Sequence, residues 1–156
     1  MEPKTILLVE DNPGEALLAQ RGLEKTQISH NLVLVTDGEQ ALEYLFESGG
    51  YTRRNASDLP ALVLLDLKLP KVSGFDVLRR IRSGRNTRRL PVVILSGSSQ
   101  TTDVATAYDL GANAYLHKPF DYTEFQEQIE SLARFWLVQN VLPPASVGEG
   151  EKADQS

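Results

Sequence analysis

The chain has 156 residues, a formal net charge of −5 and no cysteine. This length suits one ordinary domain with a hydrophobic core. The charge argues against a general nucleic-acid or membrane-surface binder, and the lack of cysteine excludes disulfides, thiolate metal sites and a cysteine nucleophile. The first apolar run begins by Ile6 without a charged leader, and no run approaches the roughly 18 apolar residues of a membrane span. We therefore expect one cytoplasmic domain that is partnered by other proteins.

Short apolar runs alternate with amphipathic segments along the whole chain. Each predicted strand is followed by a predicted helix, in the pairs 5–11 and 12–25, 31–37 and 38–48, 61–67 and 74–84, 91–96 and 101–111, and 113–118 and 121–138. The strands are near-continuous runs of Val, Ile and Leu, which is typical of a parallel sheet covered by helices on both faces. The pattern predicts an α/β doubly wound fold.

Local signals mark the helix starts and the domain boundaries. Four helices are predicted to begin after a capping side chain, namely Asn12, Asp37, Ser73 and Asp121. Residues 48–60 are rich in glycine, arginine and other polar residues and are predicted to form an exposed loop. Residues 143–156 lack apolar periodicity and are predicted to be a disordered tail. The folded domain is therefore expected to cover 4–140.

The stretch LVLLDLKLP, residues 62–70, places the ionisable Asp66 at the end of an apolar run. A buried carboxylate is costly unless it is paired, bound to a metal or protonated. In open α/β sheets ligands bind at the carboxyl ends of the strands. The other predicted strand ends carry Glu10 and Asp11, Ser96, and Lys118. Three acids, a hydroxyl and an amine are thus expected to meet in one crevice.

Three clustered carboxylates repel one another unless a hard cation lies among them, and Mg²⁺ prefers such oxygen ligands. A carboxylate can also act as a nucleophile toward phosphorus while a metal neutralises charge on the transferred group. The sequence therefore leads to the hypothesis of a Mg²⁺ site, at which a carboxylate could also form an aspartyl-phosphate. In this site Ser96 and Lys118 would contact the phosphoryl oxygens.

These residues, in this order, resemble the receiver domain of two-component response regulators, the CheY-like family, over 4 to about 138. The resemblance implies a five-stranded parallel sheet of order 2-1-3-4-5 and phosphorylation of Asp66 by a histidine kinase. It also implies that Mg²⁺ is bound by Asp11, Asp66 and the backbone carbonyl of Lys68, with Glu10 acting through a water. Glu10 replaces the more usual aspartate. Its side chain is longer but still offers the carboxylate that the site requires.

The resemblance implies further roles around the phosphate. Ser96 would move toward the phosphoryl group, Tyr115 would swing inward with it, and Lys118 would pair with it. The bond between Lys118 and Pro119 would be cis. For Tyr115 ordinary packing is the alternative. The two histidines, His30 and His117, have no partner at metal spacing and are interpreted as surface residues.

The implied function is that of a single-domain response regulator: a signalling protein, not an enzyme, that changes a protein-binding surface on phosphorylation. The 14 or so polar residues after Pro143 are too few for a DNA-binding domain. One alternative is a phosphate-independent pseudo-receiver adaptor. A phosphohydrolase of the haloacid dehalogenase type would need a second aspartate where Lys68 stands, and a flavodoxin-like cofactor site is disfavoured by the acidic loop EDNPGE.

The basic cluster over 79–89 lies at a predicted helix C-terminus, where cations complement the helix dipole. It is interpreted as a solvated face, with docking of an acidic partner or nucleic acid as the weaker alternative.

The last predicted helix carries two apolar stripes. The first is predicted to pack in the core and consists of Phe125, Ile129, Leu132 and Trp136. The second would form an exposed partner surface, with a tail folded back onto the domain as the alternative; it consists of Phe135, Val138 and Leu142.

The ending FWLVQNVLPP, residues 135–144, also resembles single-domain regulators that partner with bacterial and cyanobacterial phytochromes. In that group homodimers commonly form through the fourth helix, fifth strand and fifth helix, which adds Tyr108 to the candidate interface. The resemblance makes a phytochrome the candidate kinase and leaves the downstream protein partner unidentified.

Overall fold

The computed structural model describes residues 3–46 and 59–144. Its strands are β1 (Lys4–Val9), β2 (His30–Val35), β3 (Leu62–Leu65), β4 (Val92–Ser96) and β5 (Ala114–His117). Its α-helices are α1 (Pro13–Lys25), α2 (Gly38–Leu45), α3 (Gly74–Ser83), α4 (Thr101–Asp109) and α5 (Tyr122–Arg134). Most of the predicted loop over 48–60 and of the predicted tail over 143–156 lies outside the described residues. Among the described helices, none is long and apolar enough to cross a bilayer.

All five strands are parallel and lie in the order β2-β1-β3-β4-β5. This confirms the predicted doubly wound fold and its strand order. The chain leaves β1 toward β2 on one side and later returns to place β3 on the other side. The carboxyl ends of β1 and β3 therefore flank the point where the winding reverses, which is where ligands bind in such sheets.

The sheet separates two hydrophobic cores. The core on one face is closed by α2, α3 and α4, and the core on the other by α1 and α5. Successive residues of β1 alternate between them, with Leu7 in the first core and Leu8 in the second. The residues of β3 and β4 are buried throughout, whereas β5 at the sheet edge is only half-buried. The continuous apolar runs read from the sequence reflect this two-sided burial.

The predicted capping residues begin their helices as expected. Each of the four side chains accepts a hydrogen bond from the backbone N–H three residues later, which satisfies one of the free donors of the first turn. The donors and distances are Glu15 to Asn12 (3.0 Å), Gln40 to Asp37 (2.7 Å), Asp76 to Ser73 (3.2 Å) and Glu124 to Asp121 (3.0 Å).

The last helix changes its winding near its end. The predicted extent, 121–138, is close to the observed one, but α5 gives way to a π-helical turn over Phe135–Gln139. The Asn140 N–H donates to the Phe135 carbonyl across five residues, at 2.6 Å.

The buried face near the π turn differs by one residue from the predicted one. The prediction that Trp136 follows Leu132 in the core is only partly right, because Trp136 is half-buried and Leu137 is buried instead. A π turn spaces buried positions five residues apart rather than four. The carbonyl of Leu137 also accepts a hydrogen bond from Lys4 Nζ at 3.1 Å, which attaches this turn to the start of β1.

One arginine of the basic cluster is structural. The guanidinium of Arg82 is half-buried, and burial lowers its pKa. It donates to three carbonyls and one side-chain oxygen, those of Gly111 (2.9 Å), Arg88 (3.2 Å), Leu90 (2.7 Å) and Asn113 (2.8 Å). The prediction of a solvated face is therefore wrong for Arg82, which ties α3 to the loops before β4 and β5.

We expect Arg82→Ala to lower the free energy of unfolding by about 2–3 kcal/mol, because it removes charged hydrogen bonds and leaves partly buried carbonyls unpaired. Urea unfolding followed by circular dichroism measures the loss. The matched control is Arg79→Ala in the same helix, whose exposed side chain pairs with Asp76 and is expected to cost under about 0.5 kcal/mol. Equal losses in the two variants would contradict the structural role of Arg82.

Candidate active site at the carboxyl ends of the strands

Three carboxylates converge where β1 and β3 end. Glu10 and Asp11 directly follow β1, and Asp66 directly follows β3. One oxygen from each of the three side chains lies within 4.8 Å of the others. Glu10 and Asp66 are buried and Asp11 is exposed. The carboxylates line a cavity of about 810 Å³, which is also lined by Lys68, Ser96, Ser98, Lys118, Pro119 and Phe120. The residues predicted from the strand ends are thus brought together.

The ammonium group of Lys118 holds this cluster together. Its Nζ donates to Glu10 (2.7 Å), Glu15 (2.6 Å) and Asp66 (3.2 Å), and its side chain is only 10% exposed. Glu15 was not among the predicted site residues. It lies in the first turn of α1, three residues after the capping Asn12. Its place in the acidic loop EDNPGE is the sequence feature that could have identified it as a site residue.

The electrostatics of the crevice favour a cation. Burial, opposed by the nearby ammonium of Lys118, raises the pKa of Glu10 to about 7. For Lys118 itself burial acts to lower the pKa, but the hydrogen bonds to Glu10 and Glu15 outweigh it, so that the pKa lies above its ordinary value. Four carboxylates, those of Glu10, Asp11, Glu15 and Asp66, thus line the crevice, and three of them share the buried ammonium of Lys118. A divalent cation would offset this excess of negative charge.

The donor set fits a hard divalent metal ion. All three clustered side chains offer carboxylate oxygens, and the described residues contain no other cluster of this kind. The exposure of Asp11 leaves one side of the cluster open to solvent, and Mg²⁺ usually keeps several water ligands.

Backbone contacts set the position of Asp66. Its N–H donates to the Val9 carbonyl at 3.2 Å, and its Oδ1 accepts from the Lys68 N–H at 3.3 Å. The first residue of α3 packs directly against it: a Cβ added to Gly74 would lie 2.2 Å from the Asp66 carbonyl oxygen. Only glycine fits at this close approach, which brings α3 up against the end of β3.

Ser96 and Tyr115 lie on neighbouring strands beside the crevice. Ser96 is the last residue of β4 and is buried, and its hydroxyl accepts a hydrogen bond from the Ser98 N–H at 3.0 Å. The ring of Tyr115 packs partly against the core, and its hydroxyl donates to the Ser98 carbonyl at 2.8 Å. Both predicted residues therefore contact the loop that follows β4.

The peptide bond between Lys118 and Pro119 is trans, since the described part of the chain contains no cis peptide. The predicted cis bond is therefore wrong for this structure. Trans is the isomer that bonds to proline favour, by about 0.5–1 kcal/mol.

Comparison with known proteins agrees with this geometry. A family model described as the response regulator receiver domain matches residues 6–130. The response regulator Rcp1 of Synechocystis sp. PCC 6803 is 38% identical over 143 residues, which are 92% of this chain and 95% of Rcp1. FilR2 of Methanothrix harundinacea, a probable methanogenesis regulatory protein, is 38% identical over 144 residues, or 91% of this chain and 89% of FilR2.

Solved structures share the fold over nearly their whole length. The crystal structure of the phosphorylated cyanobacterial phytochrome response regulator RcpA superposes with a TM-score of 0.85 at 37% identity, covering 91% of this chain and 99% of RcpA. The Mn²⁺-bound form of Rcp1 superposes with a TM-score of 0.83 at 37% identity, covering 91% of this chain and 100% of Rcp1.

The chain belongs to the response regulator receiver family, the signalling proteins of two-component systems. Within that family it is a homologue of Rcp1 and RcpA. Receiver domains bind a divalent metal, as the Mn²⁺-bound form of Rcp1 illustrates, and are typically phosphorylated on an aspartate. The acidic cluster of this chain is in keeping with that chemistry.

Proposed function

We propose that Asp66 accepts a phosphoryl group from a histidine kinase with Mg²⁺ bound beside it. The observation that carries the proposal is that Glu10, Asp11 and Asp66 place carboxylate oxygens within 4.8 Å of one another, with Glu10 and Asp66 also bonded to the ammonium group of Lys118. Asp66 is the residue of this group that follows the central strand β3 and contacts both Lys68 and Lys118. The protein then acts as a signalling switch rather than as an enzyme that turns over a substrate.

The transfer makes one bond and breaks one. A carboxylate oxygen of Asp66 forms a bond to phosphorus while the bond from phosphorus to the histidine nitrogen of the kinase breaks, and its electron pair leaves with the imidazole. Ser96 and Lys118 stabilise the phosphoryl oxygens by hydrogen bonding. The three donor protons of Lys118 already serve three carboxylates, so binding the phosphoryl group requires Lys118 to exchange a partner. This exchange couples phosphorylation to the surrounding loops, with Tyr115 following Ser96.

Mg²⁺ would be held by Asp11, Asp66 and the backbone carbonyl of Lys68, with Glu10 acting through a water. Such an ion would neutralise charge on the transferring phosphoryl group. All four of these residues line the crevice.

The mouth of the crevice suits a protein phosphodonor. Phe120 is 99% exposed and Tyr122 is 72% exposed, and both line the crevice that holds Asp66. Exposed aromatic side chains are enriched at protein contacts. We propose that the histidine kinase contacts this rim. A phytochrome is the proposed kinase, because the similarity to RcpA extends over 91% of this chain.

The cytoplasm is the proposed location, and a chain without cysteine is compatible with its reducing conditions. Protein partners are proposed rather than nucleic acid or membrane, in line with the net charge of −5.

The second apolar stripe is the proposed homodimer interface, together with α4 and β5. Phe135 is 47% exposed, Val138 is 63% exposed and Tyr108 on α4 is 50% exposed, while Leu142 is half-buried. The helices α4 and α5 lie on opposite faces of the sheet and flank its edge strand β5. Covering this edge with a second copy would remove exposed apolar surface from water.

We expect Phe135→Asp to weaken self-association by at least about tenfold, because it places a charge within the apolar contact. Sedimentation equilibrium measures the dissociation constant. Phosphoryl uptake is expected to persist, since Phe135 is not among the residues that line the crevice. A wild-type protein that stays monomeric at all concentrations, with and without beryllofluoride, would contradict the interface.

Intact-mass spectrometry after incubation with acetyl phosphate tests the phosphorylation itself. The expected result is a single phosphoryl adduct that forms only with Mg²⁺ present. A folded wild-type protein that gains no adduct and does not bind beryllofluoride, an analogue of the phosphoryl group, would overturn the proposal in favour of a phosphate-independent adaptor.

A further inference from the structure

A histidine contacts the backbone of the loop after β4. The imidazole of His117, the last residue of β5, lies with its Nε2 at 3.0 Å from the Gly97 carbonyl oxygen. A carbonyl oxygen can only accept a hydrogen bond, so Nε2 carries a proton and donates. That proton is present both in the neutral Nε2–H tautomer and in the imidazolium, so the contact does not depend on the charge of the ring.

The same peptide unit contacts Ser96 through its other end. The carbonyl of Gly97 accepts from His117, and the N–H of Ser98 donates to Ser96 Oγ at 3.0 Å. These two groups belong to one planar peptide bond, and in a trans peptide they point in opposite directions. Holding the carbonyl toward His117 therefore holds the N–H toward Ser96.

The bond from Ser98 determines what the Ser96 hydroxyl can do. A hydroxyl that accepts a hydrogen bond keeps its own proton free to donate, and hydrogen bonds in such a chain strengthen one another. Ser96 is 1% exposed and lines the crevice beside Asp66. The bond from the Ser98 N–H thus restrains the position of Ser96 Oγ, while the hydroxyl proton stays free to donate to a phosphoryl oxygen.

Within 3–46 and 59–144, no steric contact at the Cβ position of Gly97 takes the place of the His117 hydrogen bond. A Cβ added to Gly97 would meet nothing within 4 Å apart from its chain neighbours, and Gly97 has no side chain of its own to limit rotation of the peptide. Ser98 is held further along by Tyr115 and by Asp103, through its carbonyl (2.8 Å) and its hydroxyl (2.6 Å). Among the described hydrogen bonds of this loop, those with His117 and Ser96 are made by the Gly97–Ser98 peptide itself.

We propose that His117 is a positioning residue for phosphoryl binding, which acts through the Gly97–Ser98 peptide to orient the hydroxyl of Ser96. The inference rests on the proposed function, in which Ser96 binds the phosphoryl group on Asp66. His117 is exposed, as the sequence predicted, and the proposal adds a specific role to this surface histidine.

A matched pair of amides tests the proposal. The side chain of His117→Gln places an N–H near the position of Nε2, whereas His117→Asn is too short to reach the carbonyl. Both keep a polar residue at this exposed position. Isothermal titration calorimetry with beryllofluoride in excess Mg²⁺ is expected to show binding weakened about three- to tenfold in His117→Asn and within about twofold of wild type in His117→Gln. His30→Asn, at the far end of β2, is the control and is expected to bind like wild type.

The melting temperature and the affinity for Mg²⁺ separate the positioning role of His117 from a purely structural one. We expect the melting temperature and the affinity for Mg²⁺ alone to stay at wild-type values in both amide variants. Adding Gly97→Ala to His117→Asn is expected to recover part of the lost beryllofluoride affinity, because alanine restricts the backbone without a clash.

Equal affinities in His117→Asn and wild type, or equal losses in His117→Asn and His117→Gln, would overturn the assignment. So would a parallel loss of Mg²⁺ affinity. Failure of the proposed function is separate, since it would appear as a wild-type protein that binds no beryllofluoride at all.

Discussion

Replacing Asp66 with asparagine is expected to abolish phosphoryl uptake from acetyl phosphate. The amide has nearly the same shape as the carboxylate, but its oxygen is neutral and a poor nucleophile toward phosphorus. The fold should survive, because the substitution removes one negative charge from a crevice lined by four carboxylates, three of which share one ammonium. Intact mass and urea unfolding of the same preparation separate loss of chemistry from loss of structure.

The matched control is Asp109→Asn on the exposed end of α4. It removes the same charge at a position that does not line the crevice, so labelling is expected at the wild-type rate. An adduct of wild-type yield on Asp66→Asn would place the acceptor on another residue and contradict the assignment.

Asp11→Ala is expected to lower the affinity for Mg²⁺ by at least about 100-fold, since it removes one of the proposed first ligands; loss of supporting groups alone typically costs 10–100-fold. Phosphoryl uptake should then no longer respond to added Mg²⁺. Isothermal titration with MgCl₂ measures the affinity. Asp11 is exposed, so its truncation is not expected to disturb the core.

Glu15→Gln distinguishes ligation from a general effect of charge. Glu15 contributes a carboxylate to the same crevice through its contact with Lys118, at 2.6 Å, but is not in the three-carboxylate cluster. Its neutralisation weakens the local field without removing a ligand, and we expect an effect on Mg²⁺ affinity within about threefold. Equal losses in Asp11→Ala and Glu15→Gln would mean that Asp11 acts only through its charge.

The fold and the main site residues were predictable from local patterns. Continuous apolar runs identified the strands, and the capping residues Asn12, Asp37, Ser73 and Asp121 located helix starts that the structure confirms. In a parallel sheet every strand ends at the same edge, so residues that follow the strands converge without further information. Asp66, Ser96 and Lys118 were found in this way.

The residues that were missed depend on contacts between elements. Glu15 and Lys118 meet only because side chains from the start of α1 and the end of β5 extend into the same crevice, and the role of Arg82 depends on oxygen atoms that lie 6 to 31 residues further along the chain. Leu137 is buried and Trp136 only partly so, at the π turn that the apolar spacing did not reveal. No periodicity encodes such contacts, because they depend on where separate loops and helix ends meet.

The sequence by itself determined the order of the elements, the residues at the strand ends and hence the kind of chemistry in the crevice, because burial and helix capping are imposed by neighbours along the chain. Only the tertiary structure decided how the charges pair and how the backbone is oriented. The three bonds of Lys118 and the peptide held between His117 and Ser96 are examples. Hydrogen bonds require distances and angles correct to a few tenths of an ångström, and this precision arises only when the packed strands and helices hold distant residues together.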